Sequence, residues 1–437
     1  MPLKPLFLAL SLTLATSAGA ANLTEVYRSA QAYDATFASA RAAYRAGQEA
    51  VAQGRAGLLP NVALDGNLRY NSLDSSLPGG DADYDSNGAS VNAAQPLFRK
   101  QNWVQYAQAK EQVKIAARQF EVAEQDLILR VAQAYFDVLL SQDTIAFINA
   151  QKAAITEQLA AAKRNFEVGT ATITDTHEAQ ARYDLALAQE IAEQNTLDIR
   201  LRALEKIIGA PPGALDRLAE PVRLAPLAGT IEEWADRAAE GNLQAEIQRI
   251  AKTIADQEVE RNRAARYPTV DAVAGYSVNN NQAFGNLQVD TRAASVGLEL
   301  NMPIYQGGLI SSRVREAVAN QEKARHDLEA AIRDASLQAR EAYLNVSSGV
   351  ARVRALEQAL TSTQAQLDST KLGLDVGVRT NLDVLNAEQQ VLSARRDLAA
   401  ARYEYLLSGL ALKAAVGTLG PAELLEIDQH LHPVAAR

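Results

Sequence analysis

Between Lys100 and Phe166 the chain contains neither proline nor glycine. Nothing in that stretch ends a helix, so it reads as one helix of about 66 residues. At ~1.5 Å per residue it reaches roughly 100 Å. A compact globular domain has no use for such a rod. A second stretch of the same kind runs from about 308 to 373, with a single glycine, Gly349, inside it. Composition agrees. Hydrophobic residues make up 48% of the chain and aromatic residues only 5%, so much of the apolar content is Ala and Leu, which suits long helices packed closely.

The two rods are copies of one unit. Pro60 matches Pro268, Ala134-Tyr135 with Val138 matches Ala342-Tyr343 with Val346, Gly169 matches Gly377, Asp175 matches Asp383, and Gly209 matches Gly417. Each pair lies about 208 residues apart, and Pro96 with Pro303 departs from that spacing by about one residue. A register held this long marks a tandem duplication. The expected organisation is a leader at 1–20, a first repeat at 21–209, a Pro- and Gly-rich linker or equatorial segment at 210–230, a second repeat at 231–417 and a C-terminal tail at 418–437. Each repeat reads helix, two strands, very long helix, turn, helix. In the first, a helix is expected over 23–57 and strands near 61–71 and 87–98. The fold class is therefore mainly α with a small β part.

The N-terminus, MPLKPLFLALSLTLATSAGA, has one positive charge at Lys4, an apolar run to about Ala15, and a small-x-small site at Ala18-Gly19-Ala20. That is a secretory signal peptide, and the run is too short to span a bilayer. The formal net charge is −9, and losing Lys4 makes it one unit more negative, which disfavours nucleic acid as a partner. There is no cysteine, which excludes a disulfide scaffold, a thiol nucleophile, a Cys-ligated zinc and a lipid anchor on an N-terminal Cys. No run of apolar residues beyond the leader is long enough for a transmembrane helix, so any membrane span must be built of strands.

Seven-residue steps along the second rod meet Val346, Val353, Leu360, Leu367 and Leu374; the first rod gives Val138, Ile145, Lys152, Leu159 and Phe166. A strict heptad implies left-handed coiled-coil packing. The strands alternate instead. Val62, Leu64, Gly66, Leu68 and Tyr70 oppose Ala63, Asp65, Asn67, Arg69 and Asn71; Ala294, Val296, Leu298, Leu300 and Met302 oppose Ser295, Gly297, Glu299 and Asn301; Val270, Ala272, Ala274, Tyr276 and Val278 continue the theme. Such alternation fits a soluble sheet with one wet face or a sheet with one face in lipid. The signal peptide favours lipid. Four strands cannot close a pore, and an open edge cannot sit in lipid, so several chains must share one barrel; three would supply twelve strands. Pro60, Pro96, Pro268 and Pro303 fall at the strand–helix junctions, where proline breaks hydrogen-bond continuity. The stretches SLDSSLPGGDADYDSNG and NNNQAFGN carry turn residues and are expected to be extracellular loops.

With the duplication, AYFDVLL (134–140), the two VGxxxxxD turns and ARYEYLLSGLALKAAVGTLG (401–420) on the page, the chain resembles the TolC family of outer-membrane efflux and type I secretion proteins, in its non-lipidated branch, over nearly all of 22–420. The resemblance implies a homotrimer in the Gram-negative outer membrane, with a twelve-stranded β-barrel in lipid and a coiled-coil α-barrel across the periplasm. It implies work with a periplasmic adaptor (membrane fusion protein) and an inner-membrane transporter of ABC or RND type.

No metalloprotease motif, catalytic triad or phosphate loop involves His177, His326, His430 or His432; His430-Leu431-His432 reads as part of a disordered tail, and no cofactor or metal is expected. The turns FEVGTATITD and LDVGVRTNLD are more informative. Gly169 and Gly377 suit the left-handed residue that ends a helix. Thr172 with Asp175 and Thr380 with Asp383 have capping-box spacing. The resemblance adds a periplasmic gate. It implies that Arg379 bridges to Thr174 and Asp175 in the closed state and that Asp383 lines the constriction. A second acidic ring would fall at Asn386 and a latching aromatic at Leu374, so this copy lacks half the ring's charge and part of the latch. The expected function is a gated exit duct for drugs or unfolded polypeptides, not an enzyme. A passive porin would need neither long helices nor latched turns, and a coiled-coil adaptor or scaffold would need no two-faced strands.

Overall fold

The computed structural model describes residues 21–74, 82–170, 172–219, 227–283 and 287–432; the leader expected at 1–20 lies outside them. The first repeat folds as α1 (Leu23–Tyr33), α2 (Ala35–Gln48), α3 (Ala50–Ala56), β1 (Asn61–Leu73), β2 (Ala82–Phe98), α4 (Lys100–Glu167) and α5 (Ile173–Ile208). A short β3 (Arg217–Leu218) follows. The second repeat folds as α6 (Ile231–Gly241), α7 (Leu243–Ala264), β4 (Thr269–Ala283), β5 (Leu287–Asn301), α8 (Leu309–Asp375) and α9 (Asn381–Ala415), and α10 (Pro421–Asp428) and β6 (Leu431–His432) end the described chain. Among the described residues no helix is long and apolar enough to cross a membrane.

Contacts group the chain into two compact units. One comprises Ser39–Ala123 and Glu232–Gln338 and holds the main sheet. Its strands run antiparallel in the order β1-β2-β4-β5, so the hairpins of the two repeats lie side by side. Pairing of Leu64 with Val91 and of Ala274 with Val296 puts the apolar residues on one face, and that face is bare: Leu64 is 77% exposed and Val296 90%. The other face carries Asn67, Ser90, Asn92, Ser277 and Ser295. Pro60 and Pro268 immediately precede β1 and β4, and Pro303 follows β5. Pro96 lies inside β2, where the register shifts between Pro96 and Phe98; a residue without an N–H suits such a bulge. Beside it the Arg99 guanidinium forks onto the buried Asp271 carboxylate at 2.8 and 2.5 Å, tying β4 to the start of α4. Phe98, Trp103, Tyr267 and Tyr305 are exposed close to these strand ends, as aromatic residues at a membrane–water boundary are.

The strands reach further into the hairpins than the turn residues predict. Asn71 pairs with Tyr84 and Asn280 with Asp290. Polar side chains sustain the ladder there, with Asn71 donating to Ser86 at 2.9 Å and Asn280 to Asp290 at 2.8 Å. The hairpin tips, 75–81 and 284–286, lie outside the described residues.

The second unit comprises Met1–Ala38, Glu124–Ile231 and Ala339–Arg437. Val346, Val353 and Leu367 are buried in its coiled-coil seam, with Leu360 and Leu374 packed alongside. Leu398 and Ala401 of α9 meet Val353. In the first repeat Val138 and Leu159 are buried while Phe166, at the helix end, is exposed. Lys152, the polar break in the first heptad, forms an ion pair with Glu190 of α5. The core motif AYFDVLL supplies Tyr135, which is fully buried and donates to the carbonyls of Asp216 at 2.9 Å and Ala21 at 3.2 Å. Phe136 stacks on Tyr403, and Tyr403 donates to Asp143 at 2.7 Å. Burial, then the nearby Asp143 charge, pushes the Tyr403 hydroxyl well above the ordinary phenol range.

Two expectations are corrected. The helix at 23–57 is three helices. Asp34 ends α1, accepts the Phe37 N–H at 2.7 Å and takes an Arg130 fork at 3.1 Å on each oxygen; a carboxylate so held starts a new helix. The segment after Gly417 is also ordered as far as His432. Leu424, Ile427 and Leu431 bury their side chains, β6 pairs with β3, and the Asp428 carboxylate accepts the N–H groups of Leu23 at 2.9 Å and Thr24 at 3.1 Å. His432 thus sits in a strand opposite Arg217. Residues 433–437 lie outside the described range.

Candidate functional site at the helical turns

Both turns are built alike. Gly169 and Gly377 have φ of 78° and 77°, the left-handed region where a side chain is strained. The next residue closes each helix end, Thr170 N–H to Asn165 O at 2.8 Å and Val378 N–H to Gly373 O at 2.9 Å, the six-to-one bond of a Schellman motif. Capping boxes then start α5 and α9. The Thr172 hydroxyl accepts the Asp175 N–H at 3.3 Å while Asp175 accepts the Thr172 N–H at 2.9 Å; Thr380 and Asp383 do the same at 3.2 and 2.9 Å. Asp383 titrates below the ordinary carboxylate range because it accepts the Thr380 backbone N–H, then the Thr380 hydroxyl, with the Arg379 charge adding to the effect.

Within the single chain the residues of the implied latch make other contacts. Among the described residues no hydrogen bond or ion pair joins Arg379 to Thr174 or Asp175. Arg379 packs back on its own hairpin: its N–H donates to Gly373 O at 3.1 Å, and its Cγ would lie 2.7 Å from any β-carbon at Gly373. Leu374 packs against the cluster of Leu367, Val384, Ala387 and Val391, so it holds α8 to α9. Asn386 is exposed and engaged, accepting from Arg182 of α5 at 2.8 Å.

Sequence reasoning missed the contacts that join the two hairpins. Arg182 also donates to Gln389 at 2.9 Å. Gln158 of α4 donates to Glu388 at 3.1 Å, and Lys371 of α8 pairs with the same buried carboxylate at 3.2 Å. Ile155, Ala186 and Leu385 form the apolar contact among α4, α5 and α9. A signal was present in the differences between copies: the counterpart of Arg182 is Gln390, and the counterpart of Asn386 is Glu178. An arrangement of this kind, helix ends bridged by charged and amide side chains, can hold or release a conformation.

Known proteins agree with the fold and its duplication. The model of the outer membrane efflux protein family matches residues 26–210 and again 234–418. The chain is 34% identical to the outer membrane protein TolC of Vibrio cholerae over 98% of both chains. It is 35% identical to the alkaline protease secretion protein AprF of Pseudomonas aeruginosa over 96% of this chain and 89% of that one. The Campylobacter jejuni CmeC outer membrane channel superposes with a TM-score of 0.78 at 16% identity, covering 96% of this chain and 94% of that one. A family model matched twice and relatives matched end to end leave one assignment: the chain belongs to the outer membrane efflux protein family, the TolC-like exit ducts of the Gram-negative outer membrane.

Proposed function

We propose that the chain is one third of a trimeric exit duct whose periplasmic end is opened and closed by the α8–α9 hairpin. The sheet carries this reading. It is apolar on one face and rich in Asn and Ser on the other, and β1 and β5 each have one neighbour among the described strands. Lipid does not tolerate such edges, and three copies joined edge to edge give twelve strands. The repeats at 21–209 and 231–417 then each supply one strand hairpin and one helical hairpin, joined through 210–230. A periplasmic adaptor and an inner-membrane transporter of ABC or RND type deliver the cargo. The duct passes small molecules or unfolded polypeptides without catalysis, and the name of the AprF relative favours including polypeptides.

In this reading Asp383 contributes three carboxylates around the axis and favours cations, since clustered like charges attract counter-ions. Asn386 adds no charge, and an Arg379 bridge to Thr174 and Asp175 is a contact between neighbouring chains. Crosslinking in native membranes should trap a trimer; a monomer or dimer would overturn the shared barrel. In planar bilayers Asp383→Asn should lower cation over anion permeability, and an unchanged reversal potential would remove the ring from the account.

A further inference from the structure

We propose that Arg182 is the positioning residue that holds the first turns of α9 against the α4–α5 hairpin, with Gln158 as a second point of attachment. The proposal rests on the gated-duct reading and adds Arg182 and Gln158 to the residues that hold the closed state. Asn386 and Gln389 are three apart on α9 and present their amides on one face. The two terminal nitrogens of Arg182 reach one acceptor each, at 2.8 and 2.9 Å. A planar fork can do this; the single ammonium of lysine cannot hold both in the same geometry. One residue away Glu388 is buried, fixed by Lys371 from its own hairpin and by Gln158 from the other. Leu385 seals the contact against Ile155 and Ala186. Residues 385–389 are thus gripped from α4 and α5 together.

Among the described residues the tip makes no comparable side-chain attachment to the other hairpin. The Asp383 carboxylate and the Thr380 hydroxyl bond each other's N–H groups, and the Arg379 stem lies on Gly373. The grip therefore lies more than one helical turn above the tip. It is also one-sided, because Gln390 and Glu178, the counterparts of Arg182 and Asn386, cannot form the reverse fork. Each bond across the seam joins a charged group to a neutral amide. Screening acts on pairs of charges, so this clamp is less sensitive to salt than an arginine–carboxylate latch.

The test is single-channel recording of the full-length protein in planar bilayers, across ionic strengths, with each variant first checked for normal trimer yield and melting. Arg182→Ala should raise closed-state conductance at least twofold, and Asn386→Ala should raise it in the same direction. The double variant should exceed the larger single effect by little, because both remove one contact. Arg182→Lys should recover part of the closure. The gain from Arg182→Ala, after correction for bulk conductivity, should persist at high salt. If Arg182→Ala and Asn386→Ala leave conductance unchanged while Arg379→Ser raises it, the clamp is wrong and the gate stands. The chain has no cysteine, so Arg182→Cys combined with Asn386→Cys can be bridged with a bifunctional thiol reagent that spans the gap left by the arginine side chain. A formed crosslink that changes neither conductance nor export overturns the clamp and the gated-duct reading together.

Discussion

The Asp383 carboxylate accepts the Thr380 N–H at 2.9 Å, and that bond keeps it ionised below the usual carboxylate range. A carboxyl whose pKa is depressed in the folded chain adds stability that is complete above its unfolded value, about 4, and disappears as pH falls through the folded value. Asp383→Ala should therefore lower hydrogen-exchange protection in the first turn of α9 at neutral pH, and parent and variant should converge in acid. Protection factors that stay apart at the lowest pH would show that the carboxylate charge is not what caps the helix. Lys152 and Glu190 pose the opposite question. They stand where the second repeat has Leu360 and Leu398, which pack together as apolar residues. An ion pair in a partly buried seam is replaceable by well-packed apolar side chains, but losing one partner strands a charge. Lys152→Leu alone should cost roughly 2–3 kcal/mol, and adding Glu190→Leu should return stability to the parent value or above it. Urea melts of the two single variants and the double variant decide it; a double-variant loss equal to the sum of the two single losses would mean that the pair is not coupled.

Among the elements, the long helices and both turns were legible in the sequence because each is written locally. An unbroken run without Pro or Gly makes the rod, and Gly169 with Thr172-x-x-Asp175 makes the stop and restart. The break at Asp34 was not legible, because its cause is Arg130 on α4, distant in sequence. The order of the last segment was hidden for the same reason, since β6 pairs with β3 and α10 reaches α1 across most of the chain. The hairpin grip was half legible. A heptad places Leu and Ala in a seam, but whether Arg182 reaches Asn386 depends on the stagger of α5 against α9. The turn residues misled at the strand hairpins, where Asn, Asp and Ser pair in the ladder.

At the scale of the whole molecule the bare apolar face of the sheet is the strongest statement the fold makes. Leu298 is 72% exposed, with Leu300 as bare and Val296 barer still, while Ser295 and Glu299 lie on the other face. Leu298→Arg should destabilise the protein refolded into lipid vesicles by roughly 2–4 kcal/mol, whereas Ser295→Arg should cost far less. Similar losses at both positions would argue that Leu298 does not meet lipid. The cap on α1 has a different kind of consequence. The N–H groups of Leu23 and Thr24 wait for a carboxylate supplied by Asp428, one of the last described residues. Asn22 caps α1 locally by accepting the Glu25 N–H, and Asp428 adds the second part of the cap only once α10 has been made and docked. A chain cut before Asp428 keeps the Asn22 cap and loses the second. The fold thereby ties the start of the described chain to its last helix across a sequence separation of 405 residues.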